Sequence, residues 1–218
     1  MPLQFGFCEP ADVPRCFEIV SRAFGTEHGY FEAVFPDHTT PEGRKAGAER
    51  LAGALNKPGA RLCKVTDTDT GEILGFAKWD VYERLPTNVG PKDGPKGNYW
   101  KDDKAKELSD YFWWEFTRRR WDAVRESGGD IVSLDIMVVD PVHHRRGVGR
   151  MLMKYGVDEA DRLGVESVVE ASRMGRFLYE NYDFKILEDV LITVPPGQQG
   201  TEQFFHWMRR PAKVKAVA

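Results

Sequence analysis

The sequence has little of what several protein classes require. Its 218 residues include three cysteines, Cys8, Cys16 and Cys63, and no Cys-x-x-Cys pair, which excludes a disulfide framework and a cysteine zinc site. It has no apolar run long enough for a transmembrane helix, and no basic segment followed by an apolar one near its start. We therefore expect a cytoplasmic protein with reduced thiols and no membrane partner.

The excess of charge is also small, a net −3 from 31 basic and 34 acidic residues. A protein held on nucleic acid by its overall charge needs a strong basic field, so we expect no nucleic-acid partner. What remains is a globular composition with 41% hydrophobic residues, and the length suits one domain spanning 1–218.

Hydrophobic periodicity predicts an α/β protein with a mixed sheet and helices on both faces. The predicted strands are 3–8, 60–66, 72–82, 131–139, 167–171, 184–194 and 203–209. The predicted helices are one capped by Asp12 and those at about 41–56, 104–125, 147–163 and 174–182. Residues 84–130 interrupt the pattern, and we interpret them as an insertion, with its own helix, before the fourth strand.

The stretch VDPVHHRRGVGRMLM, residues 139–153, stands where the predicted central strand turns into a helix. Gly147 and Gly149 allow the backbone to approach a ligand closely. The first N–H groups of a helix lack intrahelical partners and lie at the positive end of its dipole. Arg145, Arg146 and Arg150 add positive charge, and together these features predict a cradle for a diphosphate.

Two common diphosphate motifs fit this stretch poorly. A nucleotide-binding Walker loop ends in Gly-Lys-Ser/Thr, whereas this one continues as Gly149-Arg150-Met151. A dinucleotide fingerprint requires a third glycine or alanine where Leu152 stands. A solvated basic turn remains another interpretation, but it leaves the two glycines at this junction unexplained.

The residues resemble the GNAT superfamily of N-acetyltransferases. Val139, Pro141, Gly147 and Gly149 match that family's loop for the coenzyme A pyrophosphate, although His144 stands where Gln or Arg is usual. Downstream, EASRMGRFLYENYDF at 170–184 resembles the family's fifth strand and following helix, with Ser172, Gly175 and Asp183 as departures. The resemblance covers the C-terminal half well and the N-terminal half only in the order of elements.

The resemblance implies a GNAT-type acyl-CoA N-acyltransferase fold and acetyl-CoA as co-substrate, and no metal is expected. It implies that the strand carrying Val139 diverges from its neighbour and that pantetheine pairs with it. The residues expected to bind coenzyme A are Met137, Val138, Val139, His144, Arg145, Arg146, Gly147, Val148, Gly149, Arg150, Met151 and Ser172. His143 and His144 lack a third nearby ligand and are expected to flank phosphate.

Two residues are candidates for catalysis. The resemblance implies that Tyr179 donates the proton to the leaving thiolate; an ordinary core tyrosine is the alternative. A lysine-like amine has an unperturbed pKa of ~10.4, so a base is useful. Asp135 lies four residues before Val139, and strict alternation predicts that both side chains share a face. Asp135 is therefore the candidate base, with a structural carboxylate as the other interpretation.

The acceptor is not identified by any motif. Tyr30, Phe31 and Phe35 lie in the segment that the resemblance assigns to the acceptor pocket, and such aromatic walls favour a small, partly apolar amine. We expect a small-molecule N-acetyltransferase that works by direct attack in a ternary complex. A protein or peptide N-acetyltransferase and a catalytically silent coenzyme A-binding module are the alternatives, and a homodimer is compatible with the sequence.

Overall fold

A computed structural model describes residues 2–86 and 94–213. The helices are α1 Val13–Phe24, α2 Gly29–Val34, α3 Pro41–Ala52, α4 Asp103–Glu126, α5 Val148–Leu163 and α6 Arg176–Glu180. The strands are β1 Leu3–Phe7, β2 Ala60–Asp67, β3 Ile73–Tyr82, β4 Ile131–Val139, β5 Ser167–Ala171, β6 Lys185–Ile192 and β7 Gln203–Arg210. Every predicted strand is present, and most boundaries lie within two residues of the prediction.

The strands form one seven-stranded mixed sheet in the order β1-β2-β3-β4-β5-β7-β6. Only the β4–β5 pair is parallel among the pairings of this sheet, and α5 provides the crossover between them. Helices α5 and α6 pack on one face of the sheet. Helices α1 and α3 cover the β2–β4 half of the other face, and α4 covers the β5–β7 half. The mixed sheet with helices on both faces is confirmed.

The helices differ from the prediction in three places. Helix α2 was not predicted because it has only six residues; the ring of His28 caps it by accepting a hydrogen bond from the Phe31 amide at 3.2 Å. Asp12 precedes α1 without capping it through its side chain, which instead accepts from the amide of Glu9 at 2.7 Å. Helix α6 is shorter than the predicted 174–182 and occupies only Arg176–Glu180.

The two ends of the insertion at 84–130 are hydrogen-bonded to each other between β3 and β4. The Arg84 amide donates to Asp130 Oδ1 at 2.6 Å, and the Leu85 amide donates to the Gly129 carbonyl at 3.1 Å. Between these ends, α4 buries a row of apolar side chains against β5, β6 and β7: Phe112, Phe116, Ala123 and Val124. The insertion therefore supplies the cover for this half of the sheet, while its residues 87–93 lie outside the described residues.

A β-bulge in β4 overturns one prediction. Lys78 pairs with Ile136 and Trp79 pairs with Leu134, so Asp135 is the extra residue on β4. An extra residue reverses the alternation of side chains beyond it. Val139 consequently packs on the α5 face, whereas Asp135 contacts Arg120 of α4 on the opposite face. The prediction that Asp135 and Val139 share a face was wrong, because alternation was assumed to be unbroken.

Strands β4 and β5 diverge immediately beyond this bulge. Their parallel pairing runs from Val132–Ser167 to Leu134–Val169 and then stops, although β4 continues to Val139. The remaining part of β4 pairs only with β3. A gap in the sheet therefore opens toward the C-terminal ends of these two central strands.

The packing of α5 on β3 generates a prediction about stability. A Cβ atom added to Gly156 would lie 2.3 Å from the ring of Trp79, which is fully buried. We expect Gly156→Ala to destabilise the protein by roughly 1–3 kcal/mol despite the better helix propensity of alanine, because the ring has no free space to move into. A urea titration should show a lower midpoint at an unchanged slope.

The matched control is Lys154→Ala, on the exposed side of the same helix. It should change the free energy of unfolding by less than about 0.5 kcal/mol. Equal stability of Gly156→Ala and the wild type would show that α5 does not press on Trp79 as described.

Candidate active site

The loop between β4 and α5 is anchored from beneath by Asp140. This carboxylate is fully buried and forms ion pairs with Arg15 at 2.8 Å and Arg22 at 3.0 Å, both on α1. It also accepts a hydrogen bond from the Val142 amide at 3.3 Å. A buried carboxylate with two cationic partners fixes the loop at the end of the strand, and so fixes where α5 begins.

Helix α5 begins at Val148 with Gly147 as its N-cap, at φ 89° in the left-handed region. Glycine adopts that conformation without a steric penalty. A Cβ atom at Gly149 would lie 3.2 Å from a methyl group of Leu178 on α6. A Cβ atom at Gly147 would meet no atom within 4 Å, so the backbone is open there, and the first N–H groups lie at the positive end of a 16-residue helix.

The predicted coenzyme A residues divide into three groups according to their exposure. His144, Arg145, Arg146, Gly147 and Arg150 are exposed around the start of α5, where side chains can reach a ligand. The side chains of Val138 and Val148 are buried in the core, so only their backbone atoms could take part. The remaining predicted positions, Met137, Val139, Gly149, Met151 and Ser172, are partly or fully exposed near the gap between β4 and β5.

A cavity of about 580 Å³ lies on the other side of this gap. Its floor is the face of β3, β4 and β5 that carries α1, α3 and α4, and its walls and roof come from these helices and from α2. The predicted acceptor residues Tyr30, Phe31 and Phe35 all line it. Trp113 and Phe116 of the insertion also line it, so the insertion both packs on the sheet and forms part of the cavity wall.

Tyr179 stands where the gap meets the cavity. Its side chain is buried, and burial raises the pKa of its phenol. The ring packs tightly over Gly175: a Cβ atom there would lie 3.2 Å from the Tyr179 hydroxyl and 3.2 Å from Ser172 Oγ. Within residues 2–86 and 94–213 no hydrogen-bond partner occupies the Tyr179 hydroxyl. Met137, Ser172 and Tyr179 all line the cavity, and Ser172 Oγ and the Tyr179 hydroxyl lie on the same side of Gly175.

A buried network of ion pairs forms the polar part of the floor. Lys78 binds Asp80 at 2.7 Å and Asp135 at 2.8 Å. Arg120 of α4 binds Asp135 at 2.5 Å and Glu170 at 2.6 Å. Arg120 thus bridges β4 and β5 one residue beyond their last paired positions. It holds the two strands at a fixed separation where the backbone hydrogen bonds have ended.

The two carboxylates that Arg120 binds have opposite pKa shifts. Burial opposes the ionisation of Asp135, but Lys78 and Arg120 outweigh it, so the pKa of Asp135 is lowered. Burial raises the pKa of Glu170, and the charge of Asp135 raises it further. In the described parts of the chain Arg120 is the one cation paired with Glu170, and it does not outweigh these two effects. Glu170 therefore takes up a proton more readily than Asp135 does.

Sequence analysis missed Lys78, Arg120 and Glu170 as residues of the site. Their partners lie 57, 15 and 50 positions away along the chain, so no local motif connects them. Alternation along β5 could have placed Glu170 on the α4 face, opposite Val169. The position of Arg120 depends on how α4 docks, which no spacing reveals.

Neither a metal centre nor a membrane span is found in the described chain. Among residues 2–86 and 94–213, no three His, Cys, Asp or Glu side chains come together as a metal site. The helices described there include none that is long and apolar enough to cross a bilayer.

Comparison with known proteins decides the family. The model of the acetyltransferase (GNAT) family matches residues 27–181, which include the predicted loop, both central strands and the insertion. The chain belongs to the GNAT family of acetyltransferases. It is an acetyl-CoA-dependent acyltransferase, and the family implied by the resemblance is confirmed. No curated protein sequence matches the chain significantly.

Solved GNAT structures share the fold at low sequence identity. A mosquito arylalkylamine N-acetyltransferase like 5b is 13% identical, with 96% of this chain and all of that one covered and a TM-score of 0.64. A Sinorhizobium meliloti phosphinothricin acetyltransferase solved with acetyl-CoA is 16% identical over 97% and 89% of the chains, with a TM-score of 0.57. The Escherichia coli ribosomal-protein-S18-alanine N-acetyltransferase is 17% identical over 99% and 97%, with a TM-score of 0.55. These similarities establish the fold and leave the acceptor class open.

The cradle at the start of α5 generates a prediction about coenzyme A binding. Gly149→Glu would place a negative charge beside the helix N-terminus, and its side chain would clash with Leu178. We expect the affinity for coenzyme A to fall at least ~10-fold, or about 1.4 kcal/mol, as measured by calorimetry.

Lys154→Glu is the control, since it also adds negative charge to α5 but on an exposed position in its second turn. It should leave the affinity within about twofold. An unchanged affinity in a folded Gly149→Glu variant would show that the diphosphate binds elsewhere.

Proposed function

We propose that this protein transfers the acetyl group of acetyl-CoA to a primary amine of a small molecule by direct attack in a ternary complex. The observation that carries the proposal is that Tyr179, Met137, Glu170 and the aromatic acceptor residues all line the same cavity. Cofactor residues and acceptor residues thus meet in one space, as a direct transfer between two bound substrates requires.

The coenzyme A site fits the residues present. The open backbone at Gly147 leaves room for a diphosphate at the start of α5, and the part of β4 that does not pair with β5 offers its backbone to an extended pantetheine chain. Acetyl-CoA supplies an activated thioester when it is bound. Backbone N–H groups near Val139 would stabilise negative charge on the thioester oxygen.

Tyr179 is the proposed general acid. Its raised pKa keeps the phenol protonated at neutral pH, and its hydroxyl lies at the cavity end that faces the gap. A phenol held there can donate its proton to the thiolate as the bond to the acetyl group breaks. The core-tyrosine alternative gives the ring the same packing but no role for the hydroxyl.

The proposed proton acceptor is Glu170 or Asp135, and the electrostatics favour Glu170. A base works best when its pKa lies near the operating pH. The raised pKa of Glu170 moves it in that direction, whereas Lys78 and Arg120 move Asp135 away from it. We propose that Glu170 takes the proton of the attacking amine, directly or through water. In this proposal the Asp135 carboxylate holds Lys78 and Arg120 in place.

The shape of the cavity favours a small acceptor over a protein tail. Tyr30 stacks on Phe116 with ring centroids 4.0 Å apart and lies 6.4 Å from Trp113, which closes the side of the cavity that α2 and α4 share. A peptide tail needs an open groove along which its backbone can extend. A compact site with aromatic walls and a set of charged side chains at fixed positions is instead typical of small-molecule recognition.

The role of Tyr179 can be tested with Tyr179→Phe, which keeps the ring and removes the proton donor. We expect kcat to fall ~10²- to 10⁴-fold while the amine KM and the melting temperature stay nearly constant. The loss should be smaller with an acyl donor whose thiol is more acidic, because that thiolate needs less protonation. Near-full kcat with the chemical step rate-limiting would leave Tyr179 as a core aromatic and water as the acid.

The base can be identified by comparing Glu170→Gln with Asp135→Asn, because each removes one carboxylate from Arg120. We expect Glu170→Gln to lower kcat/KM ~10²-fold or more and to remove the acid limb of the pH profile that falls through the raised pKa of Glu170. Asp135→Asn should keep that limb. The opposite pattern would make Asp135 the base, and two equal losses with unchanged profiles would indicate a structural role for both.

A further inference from the structure

The cavity has charges of opposite sign on opposite walls. The floor on β3, β4 and β5 carries Lys78, Asp135 and Glu170. The part of the wall that comes from α3 carries Arg50 and Lys57. An acceptor that fills the space between these walls meets carboxylates at one end and cations at the other.

The floor has an excess of negative charge. Its network contains two cations, Lys78 and Arg120, and three carboxylates, Asp80, Asp135 and Glu170. Charges in a buried site interact strongly, so one uncompensated negative charge attracts a cationic or polar N–H group. This end of the cavity also contains Tyr179 and Ser172, beside which the acceptor amine must react.

The opposite wall holds a cation that no carboxylate neutralises in the described parts of the chain. The Arg50 guanidinium lies 4.2 Å from the centroid of the Phe35 ring and 4.8 Å from that of Tyr99, and it donates to the Val34 carbonyl at 2.6 Å. Burial lowers the pKa of Arg50; the phenols of Tyr99 and Tyr30 oppose that effect, and no carboxylate of the described residues does. A partly buried guanidinium with spare N–H donors favours an anionic partner.

We infer that the acceptor is an amino acid-like compound, with a primary amine that faces Glu170 and a carboxylate that binds Arg50. Its apolar part lies against Tyr30 and Phe116, and Lys57 adds a second positive charge at the exposed end. The planar fork of arginine matches a carboxylate in two parallel hydrogen bonds. This inference rests on the proposed function and narrows its substrate class.

A purely structural role for Arg50 would explain the same contacts. In that case the guanidinium only caps the last carbonyls of α2 and stacks on Phe35, Tyr99 and Trp100. The two roles differ in what they predict for substrates. If Arg50 is only structural, its replacement changes kcat/KM by the same factor for all amines. If Arg50 binds a carboxylate, kcat/KM differs between amines that differ only in the carboxylate.

The experiment uses matched pairs of amines with acetyl-CoA and the full chain. The pairs are 2-phenylethylamine with phenylalanine, benzylamine with 4-(aminomethyl)benzoate, and hexylamine with 6-aminohexanoate, compared at equal concentrations of free amine. Thiol release gives kcat/KM for each compound. We expect the carboxylated member of at least one pair to exceed its partner at least ~10-fold, which corresponds to about 1.4 kcal/mol, mainly through KM.

Three variants identify the group that binds the carboxylate. Arg50→Met should bring the ratio of kcat/KM for the carboxylated and the uncharged amine of a pair close to one. Arg50→Lys should keep part of the preference for the carboxylated amine, because the charge remains without the planar fork. Arg162→Met is the matched control, since it removes an exposed guanidinium on α5 outside the cavity and should keep the wild-type ratio. Melting temperatures show whether each variant is folded.

The outcomes separate the inference from the proposed function. Release of thiol with uncharged amines as fast as with carboxylated ones overturns the inference while the transferase activity stands. A preference that survives in folded Arg50→Met, or a loss of equal size for both members of a pair, overturns the role of Arg50. Absence of thiol release with every amine would instead contradict the proposed small-molecule activity. The wild-type ratios test the inference even if Arg50→Met does not fold.

Discussion

The divergence of β4 from β5 beyond Leu134 and Val169 is the constraint on which the rest of the site depends. It leaves the end of β4 without a partner on one side, and the cavity opens where the sheet is interrupted. Such a gap loses backbone hydrogen bonds, so something else must hold the strands apart at a defined distance. Arg120 does this by binding Asp135 on one strand and Glu170 on the other. A side chain replaces the missing backbone ladder where the chemistry requires open space.

The insertion is joined to the site through this same arginine. Helix α4 carries Arg120 among the buried residues of its inner face, and Phe116 from that face also stacks on Tyr30. One helix therefore covers the β5–β7 half of the sheet, bridges the gap and forms a wall of the cavity. Its packing on the sheet and its place in the cavity wall are two consequences of one docking. Changes on the outer face of α4 should be tolerated far better than changes at Phe116 or Arg120.

Prediction from the sequence was most accurate where the signal is local. The β-branched, largely apolar run at 131–139, and the glycines at 147 and 149, identified the central strand, the start of α5 and the family. It was less accurate where one residue changes the geometry, as in the bulge at Asp135, because no residue type in that strand marks a bulge. It had no access to Arg120 and Arg50, whose partners are determined by how helices dock. Local motifs thus predict the cofactor half of the site, while the acceptor half depends on tertiary packing.

The cost of the ion-pair network is itself informative about the acceptor half. Burying Lys78, Arg120, Asp80, Asp135 and Glu170 together removes five charges from water, and well-packed apolar residues would stabilise such a site about as well. The network lies on the floor of the cavity, where its groups remain within reach of a bound molecule. Asp135 and Glu170 share Arg120, yet the second cation at Asp135 gives them opposite pKa shifts. Two carboxylates with separated pKa values in one pocket are the arrangement by which a site holds one charge fixed and lets the other exchange a proton. A purely structural network has no need of that difference. The pairing of Lys78 with Asp135 rather than with Glu170 therefore favours a role for this floor in binding and deprotonating the acceptor amine.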